Sequence, residues 1–215
     1  MIAAPQAHAT IINFDFQLSD VSAQQHALGM PAGSIEITQI GTNQVGFVLK
    51  NLIDGPYNGN LFESKLLLNY TGSAALTAQA WNIVDPAGFT LQPFNTGTFG
   101  SANGNTASYN GFDIELSFPT SNSQNSNRFK DHEYYAWIYT GTGLQVSDFL
   151  TPIDPTDPSR PESPVMIHVQ GIDGNPSSFW IVDQPPSITQ VPEPSSLALL
   201  GAALAGIGIA RRRKA

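Results

Sequence analysis

The sequence predicts an all-β domain, an antiparallel β-sandwich of jelly-roll or immunoglobulin-like type with about nine short strands. Apolar and polar residues alternate with a period of two in several short segments, which is typical of strands with one buried face. Clusters of Gly, Asn, Asp and Pro separate these segments and mark turns. No long amphipathic helical pattern precedes the C-terminal tail, which argues against a parallel sheet with crossover helices.

The alternation places the strands in order along the chain. Residues 34–40 alternate throughout, and Gly41-Thr42-Asn43 separates them from residues 44–50 as in a β-hairpin. The other predicted strands are residues 11–18, 63–69, 78–84, 111–118, 133–139, 165–170 and 178–182. Residues 51–60, 97–110 and 120–127 are small or polar and predict surface loops. Five prolines predict an extended connector over residues 151–164.

Charge is distributed unevenly along the chain. Residues 10–190 hold five basic against sixteen acidic residues, a formal charge of −11. Such an acidic body repels phosphate groups, so nucleic acid is excluded as a partner. The chain has no Cys, which excludes a disulfide scaffold, a cysteine zinc site and a thiol nucleophile.

The C-terminal tail combines an apolar segment with a basic end. Residues 197–210 carry no charge and are followed directly by Arg211, Arg212, Arg213 and Lys214. A helix over 195–210 would rise about 24 Å, against about 30 Å for a bilayer core. We therefore expect a single short hydrophobic transmembrane helix, with its basic stop in the cytoplasm and the preceding chain on the far side.

The motif Val191-Pro192-Glu193-Pro194 comes before the short apolar span and the basic stop. In this order the three parts closely resemble the PEP-CTERM protein-sorting signal of Gram-negative bacteria. The resemblance implies that an exosortase-type membrane protease recognises the signal, cleaves near Pro192-Glu193-Pro194 and releases the protein to the cell surface or extracellular matrix. Until then the C-terminal helix would hold the chain in the inner membrane. Shorter segments within 45–69 and 141–181 also resemble exported PEP-CTERM proteins.

The resemblance completes a four-part organisation of the chain. Residues 1–9 are expected to be the remnant of a signal peptide, because Ala7-His8-Ala9 has the form of a signal-peptidase site. No charged and apolar region precedes that site, so either the true start lies upstream or Ala7-His8-Ala9 is an ordinary lead-in. Residues 10–184 form the ectodomain, 185–194 a Pro-rich spacer with the sorting motif, and 195–215 the helix and basic tail.

Two groups of side chains are candidates for metal or acid–base chemistry. Asp131-His132-Glu133 together with His168 offers suitable groups, although a lone His on an alternating strand is more often a core or rim residue. Asp154, Asp157 and Glu162 in the connector are Ca²⁺ candidates, although no EF-hand pattern occurs. Asp113 and Glu115 lie two apart on a strand and are expected on its solvent side, which does not oppose them across a sugar.

Aromatic residues outside the core would be candidates for stacking on sugar rings. Tyr57 and Tyr109 lie in Gly- and Asn-rich segments and are the predicted glycan contacts. The strand aromatics, Trp81, Tyr134, Tyr135, Trp137 and Trp180 among them, are expected mainly in the core. No nucleophile elbow, phosphate loop or dinucleotide fingerprint is present.

These observations lead to one expected function and two alternatives. We expect an exported surface or matrix protein that is associated with exopolysaccharide or biofilm, is not an enzyme and needs no cofactor. The first alternative is a secreted carbohydrate-binding module or hydrolase with a Ca²⁺ site. The second is a membrane-anchored structural protein that never meets an exosortase.

Overall fold

A computed structural model describes residues 9–15, 31–52, 62–84, 88–93, 99–106, 109–120, 128–129, 132–156, 162–170 and 178–182. Within these ranges the protein is all-β, as predicted, and contains eleven strands. Their bounds are β1 Ala9–Asp15, β2 Pro31–Gly41, β3 Gln44–Asn51, β4 Phe62–Leu68, β5 Thr77–Ala80, β6 Thr90–Leu91, β7 Phe99–Thr106, β8 Tyr109–Ser117, β9 Glu133–Thr140, β10 Val165–Gln170 and β11 Ser178–Val182.

The strands form two sheets. The first sheet has the order β1-β2-β3-β9-β5, and the two-residue β6 also pairs with β9. The second sheet has the order β11-β10-β4-β8-β7. Every pairing in the described chain is antiparallel except that of β6 with β9. The predicted hairpin around Gly41-Thr42-Asn43 is confirmed by the pairing of β2 with β3.

The two sheets bury their facing side chains in one hydrophobic core. The largest buried cluster takes alternate residues from β2, β3 and β9 of the first sheet and from β4, β8 and β10 of the second. At its centre Phe47 stacks on Trp137, with ring centroids 5.1 Å apart. The edges of Tyr139 and Phe149 also meet Phe47, at 5.3 and 4.9 Å. Each of these strands therefore gives one face to the core, as its alternation predicts.

Side chains from residues 81–84 and 88–91, here called the strap, cover part of the outer face of the first sheet. Trp81, Ile83, Phe89 and Leu91 of the strap pack on Val48, Tyr134 and Ala136. Tyr134 donates a hydrogen bond to the Ile83 carbonyl oxygen at 2.5 Å. Gly46 allows the Trp81 ring to pack closely on the sheet, because a Cβ at position 46 would lie 2.4 Å from that ring. The strand predicted over 78–84 is shorter in the structure, because β5 ends at Ala80 and the Trp81 and Ile83 side chains then pack on the outer cluster.

The outer face of the second sheet is partly covered by the connector after β9. Ile153 packs against a buried cluster of Leu67, Tyr109, Phe112, Met166 and Val182. Isolated bridges join Ile153 to Ser163 and Tyr109 to Pro155. The described part of the Pro-rich connector makes only these bridges, which fits the prediction that it is not a central strand.

Residues 97–110, predicted as a loop, are instead largely paired. Their described part forms β7 and the first residues of β8, which join as neighbours at the edge of the second sheet. The small, polar composition of β7 gave no alternation to detect, and backbone pairing with β8 holds it as a strand. The predicted transmembrane helix over 195–210 and the basic tail after it lie outside the described residues. In the chain that the structure describes, no helix is long and apolar enough to cross a bilayer.

Candidate functional site

Four strands of the second sheet contribute one residue each to a row across its outer face. Trp180 on β11 pairs with His168 on β10, His168 pairs with Lys65 on β4, and Lys65 pairs with Ser117 on β8. We call these four residues, together with Glu115, which contacts Lys65 and Ser117, the polar row. Three strand spacings separate its ends, a length of about 14 Å. Residues distant in sequence thus meet in one line because the strands are in register.

A β-bulge positions the middle of the row. His168 lies opposite Lys65 and Val169 lies opposite Glu63, so Ser64 is the extra residue on β4. The buried Ser64 hydroxyl donates to the His168 carbonyl oxygen at 3.1 Å, and its Oγ lies 2.6 Å from His168 Nδ1. A single hydroxyl hydrogen cannot serve both contacts, so both are satisfied when Nδ1 carries a hydrogen and donates it to Ser64. In the neutral ring Nε2 is then the acceptor.

His168 lies between an aromatic ring and a cation. Its ring centroid is 4.5 Å from that of Trp180, and the two planes are tilted by 39°. Burial lowers the pKa of His168 below its usual range, and the nearby Lys65 ammonium lowers it further. The imidazole is therefore neutral at pH 7, and its Nε2 is a hydrogen-bond acceptor beside the half-buried Trp180.

The other end of the row is a hydrogen-bonded ion pair. Lys65 Nζ lies 2.8 Å from Glu115 Oε1, with the two side chains 41% and 27% exposed. Ser117 donates a hydrogen bond to the same carboxylate at 2.7 Å. Burial acts to raise the pKa of Glu115, but the hydrogen bonds from Lys65 and Ser117 and the Lys65 charge outweigh it, so the pKa is lowered. Glu115 is therefore ionised at pH 7 and balances the charge of Lys65.

We expect His168 to make the folded protein sensitive to mild acid. Its folded-state pKa is lowered, so its contribution to stability is complete above its unfolded pKa of about 6.5 and is lost as the pH falls through the folded value. The free energy of unfolding, measured by urea denaturation, should fall between pH 7.5 and 5.5, and His168→Gln should reduce that fall. Glu115 titrates below this window and does not interfere. An equal loss in His168→Gln and the unmodified chain would contradict the role assigned to His168.

The structure does not bring together the predicted Asp-His-Glu and His168 group. His132 precedes β9 in the first sheet and stacks on Phe89 at 5.3 Å, whereas His168 lies in the second sheet beside Ser64 and Trp180. Asp131 lies outside the described residues. Asp113 is exposed and Glu115 half-buried on β8, so both lie on the outer side of the strand as predicted.

The Ca²⁺ candidates lie on the connector. The bridge between Ile153 and Ser163 sets Asp154 opposite Glu162, and both are exposed. Asp157, the third member, lies outside the described residues. No group of three acidic or His side chains suited to a metal ion occurs in the part of the chain that the structure describes.

One of the two predicted sugar contacts, Tyr109, is buried in the structure. Tyr109 is fully buried at the start of β8, with its ring 6.2 Å from that of Phe112, so it presents no face to a sugar. The loop prediction fails there because Tyr109 fills the outer apolar cluster beneath the connector. Tyr57 lies outside the described residues. Trp137 is fully buried as predicted, whereas Trp180 lies half-buried at the end of the polar row.

The sorting residues also lie outside the described ranges. They are Val191, Pro192, Glu193 and Pro194 of the motif and Arg211, Arg212, Arg213 and Lys214 of the basic stop. Their order along the chain, after a two-sheet domain, is that of an exported protein with a C-terminal sorting signal.

Comparison with known proteins identifies that signal. The family model described as the PEP-CTERM protein-sorting motif matches residues 190–214, so the chain carries this sorting motif. The signal marks an exported protein that is sorted by an exosortase, a membrane protein, and it implies transient membrane anchoring before surface display. No curated protein and no solved structure matches the chain.

Proposed function

We propose that this chain is a non-enzymatic protein of the cell surface or extracellular matrix that is associated with exopolysaccharide. The observation that carries the proposal is the PEP-CTERM motif at residues 190–214, preceded by a Pro-rich spacer and a two-sheet domain. In this proposal the domain is a β-sandwich ectodomain and the last residues serve only delivery. The jelly-roll or immunoglobulin-like strand order and the absence of a cofactor stay predictions.

Two features of the ectodomain support residence outside the cell. The acidic body, with a formal charge of −11 over residues 10–190, favours solubility and discourages non-specific association with anionic polymers. The shared core draws on both sheets, so the domain has its own hydrophobic core once the tail is removed. One specific observation, the polar row, favours the carbohydrate-binding alternative.

The test is the mass and the location of the protein in its native host. Cells and matrix are separated, and the protein recovered from each fraction is analysed by intact-mass spectrometry. We expect a mature chain in the matrix that begins near Thr10, ends near Pro192 to Pro194 and is released when the matrix polysaccharide is enzymatically digested. A recovered chain that retains Arg211 to Lys214 would identify a tail-anchored membrane protein instead. A processed chain that is free of polysaccharide would remove the exopolysaccharide association.

A further inference from the structure

The polar row combines the two kinds of group that recognise sugars. A pyranose ring has apolar C–H faces and a rim of hydroxyl groups, and aromatic rings with neighbouring polar groups suit such a surface. Trp180 supplies the aromatic ring at one end of the row. Next to it are the His168 acceptor, the Lys65 donor and the Glu115 carboxylate. The Trp180 and His168 rings contact each other, His168 pairs with Lys65 across the strands, and Lys65 forms the ion pair with Glu115.

The row lies beside the buried outer cluster, on a part of the sheet face that is only partly buried. The adjacent outward residues, Leu67, Met166 and Val182, are buried beneath Tyr109 and Ile153. In contrast, the Lys65 and Glu115 side chains remain 41% and 27% exposed. The described part of the connector therefore buries the neighbouring residues and leaves a strip about 14 Å long partly exposed on the sheet face.

The geometry of the row is fixed before any ligand arrives. His168 is held through Nδ1 and its own carbonyl by Ser64, which is 2% exposed. Glu115 is held by Lys65 and Ser117. Side chains already locked by such contacts lose little conformational freedom on binding, which favours affinity.

Charge decides between neutral and acidic sugars. Lys65 and Glu115 balance each other, and the lowered pKa of His168 leaves that ring neutral at pH 7. The row therefore carries no net charge, in a body with a formal charge of −11 over residues 10–190. That body repels uronate or sulfated polymers and leaves neutral saccharides as the matching class.

We propose that the polar row binds a neutral polysaccharide, with Trp180 stacking on a pyranose ring and His168, Lys65 and Glu115 hydrogen-bonding to its hydroxyl groups. The inference rests on the proposed function in one respect, because it requires a neutral polysaccharide around the protein. It assigns the contact to the second sheet and not to the loops around Tyr57 and Tyr109.

The test is affinity electrophoresis of the full chain in a polyoxyethylene detergent, which contains no sugar. Gels contain hydroxyethylcellulose, dextran, galactomannan, alginate or the host's own extracellular polysaccharide. We expect at least one neutral polymer to retard the protein and alginate not to. Trp180→Ala should weaken that retardation about tenfold in apparent Kd, because the stacking surface is lost. Trp81→Ala, a half-buried tryptophan on the opposite outer face, is the matched control and should bind normally.

A second measurement keeps Trp180 in place, in case Trp180→Ala does not fold. The chain has three tryptophans, and Trp137 is fully buried. In Trp81→Phe, fluorescence that acrylamide quenches therefore comes from Trp180. The retarding neutral polymer should reduce that quenching, whereas an unchanged quenching constant would overturn the inference.

The outcomes separate the site from the wider function. Equal retardation of Trp180→Ala and the unmodified chain, retardation by alginate alone, or no retardation by any neutral polymer would each overturn the polar row as the site. Failure of the host's own polysaccharide to retain the unmodified chain would overturn the exopolysaccharide association instead. Retention by that polysaccharide that persists in Trp180→Ala would leave the association standing and remove only the site.

Discussion

Replacement of Pro192, Glu193 and Pro194 by alanine is expected to abolish surface delivery while leaving export and membrane insertion intact. The apolar segment 197–210 and the four cations after it are unchanged, so the tail can still enter the inner membrane. What the variant lacks is the tripeptide within the matched sorting motif at residues 190–214. The protein should accumulate in the membrane fraction with its basic tail attached, as intact-mass spectrometry would reveal.

The spacer offers a matched control for this experiment. Pro185 and Pro186 lie in the same Pro-rich segment but outside the matched motif. Their replacement by alanine changes the composition of the spacer to a similar extent and should leave surface display, measured by antibody labelling of whole cells, at the normal level. Normal display of the chain with Pro192-Glu193-Pro194 replaced would show that this tripeptide does not direct sorting.

Phe47→Ala should be among the most destabilising single substitutions in the ectodomain. Phe47 is fully buried and meets the rings of Trp137, Tyr139 and Phe149, at centroid distances of 4.9 to 5.3 Å. Removal of a buried phenylalanine ring lowers the free energy of unfolding by about 3–5 kcal/mol, and the whole free energy of unfolding of a domain is roughly 5–15 kcal/mol. We expect the midpoint of thermal unfolding, followed by circular dichroism, to fall by about 10 °C or more.

Phe89→Ala provides the comparison for this loss. Phe89 is also a phenylalanine, but it lies only partly buried in the strap on the outer face of the first sheet. Its removal should lower the free energy of unfolding by clearly less than that of Phe47. Equal losses for the two variants would mean that the shared core between the sheets does not dominate the stability of the domain.

Much of the sheet structure could be predicted from the sequence. Residues 165–170 and 178–182 form β10 and β11 with the predicted bounds, because β-branched and aromatic residues there lie between clear turn signals. Segments without this pattern could not be recognised as strands from the sequence. The Gly- and Asn-rich β7 shows no alternation, and its pairing depends on a neighbour that local sequence cannot specify.

The candidate site could not be predicted in the same way. Trp180, His168, Lys65 and Ser117 belong to four strands, and only the register between those strands sets them side by side. Register also depends on the bulge at Ser64, which no sequence pattern marks. Tyr109 was misplaced for a related reason. A tyrosine between glycine and asparagine residues predicts an exposed turn, but the connector returns over it from elsewhere in the chain.

The position of β11 has a mechanical consequence. It is the outermost strand of its sheet, it pairs only with β10 among the described strands, and its last residue, Val182, leads toward the sorting motif at residues 190–214. A pulling force applied through a membrane-held tail therefore loads β11 first. In this antiparallel pair the force acts on the Met166–Val182 residue pair before it acts on the His168–Trp180 pair. Peeling of β11 by two further residues would separate Trp180 from His168 while β10, β4 and β8 stay paired, so we expect tension on the tail to weaken the proposed saccharide binding.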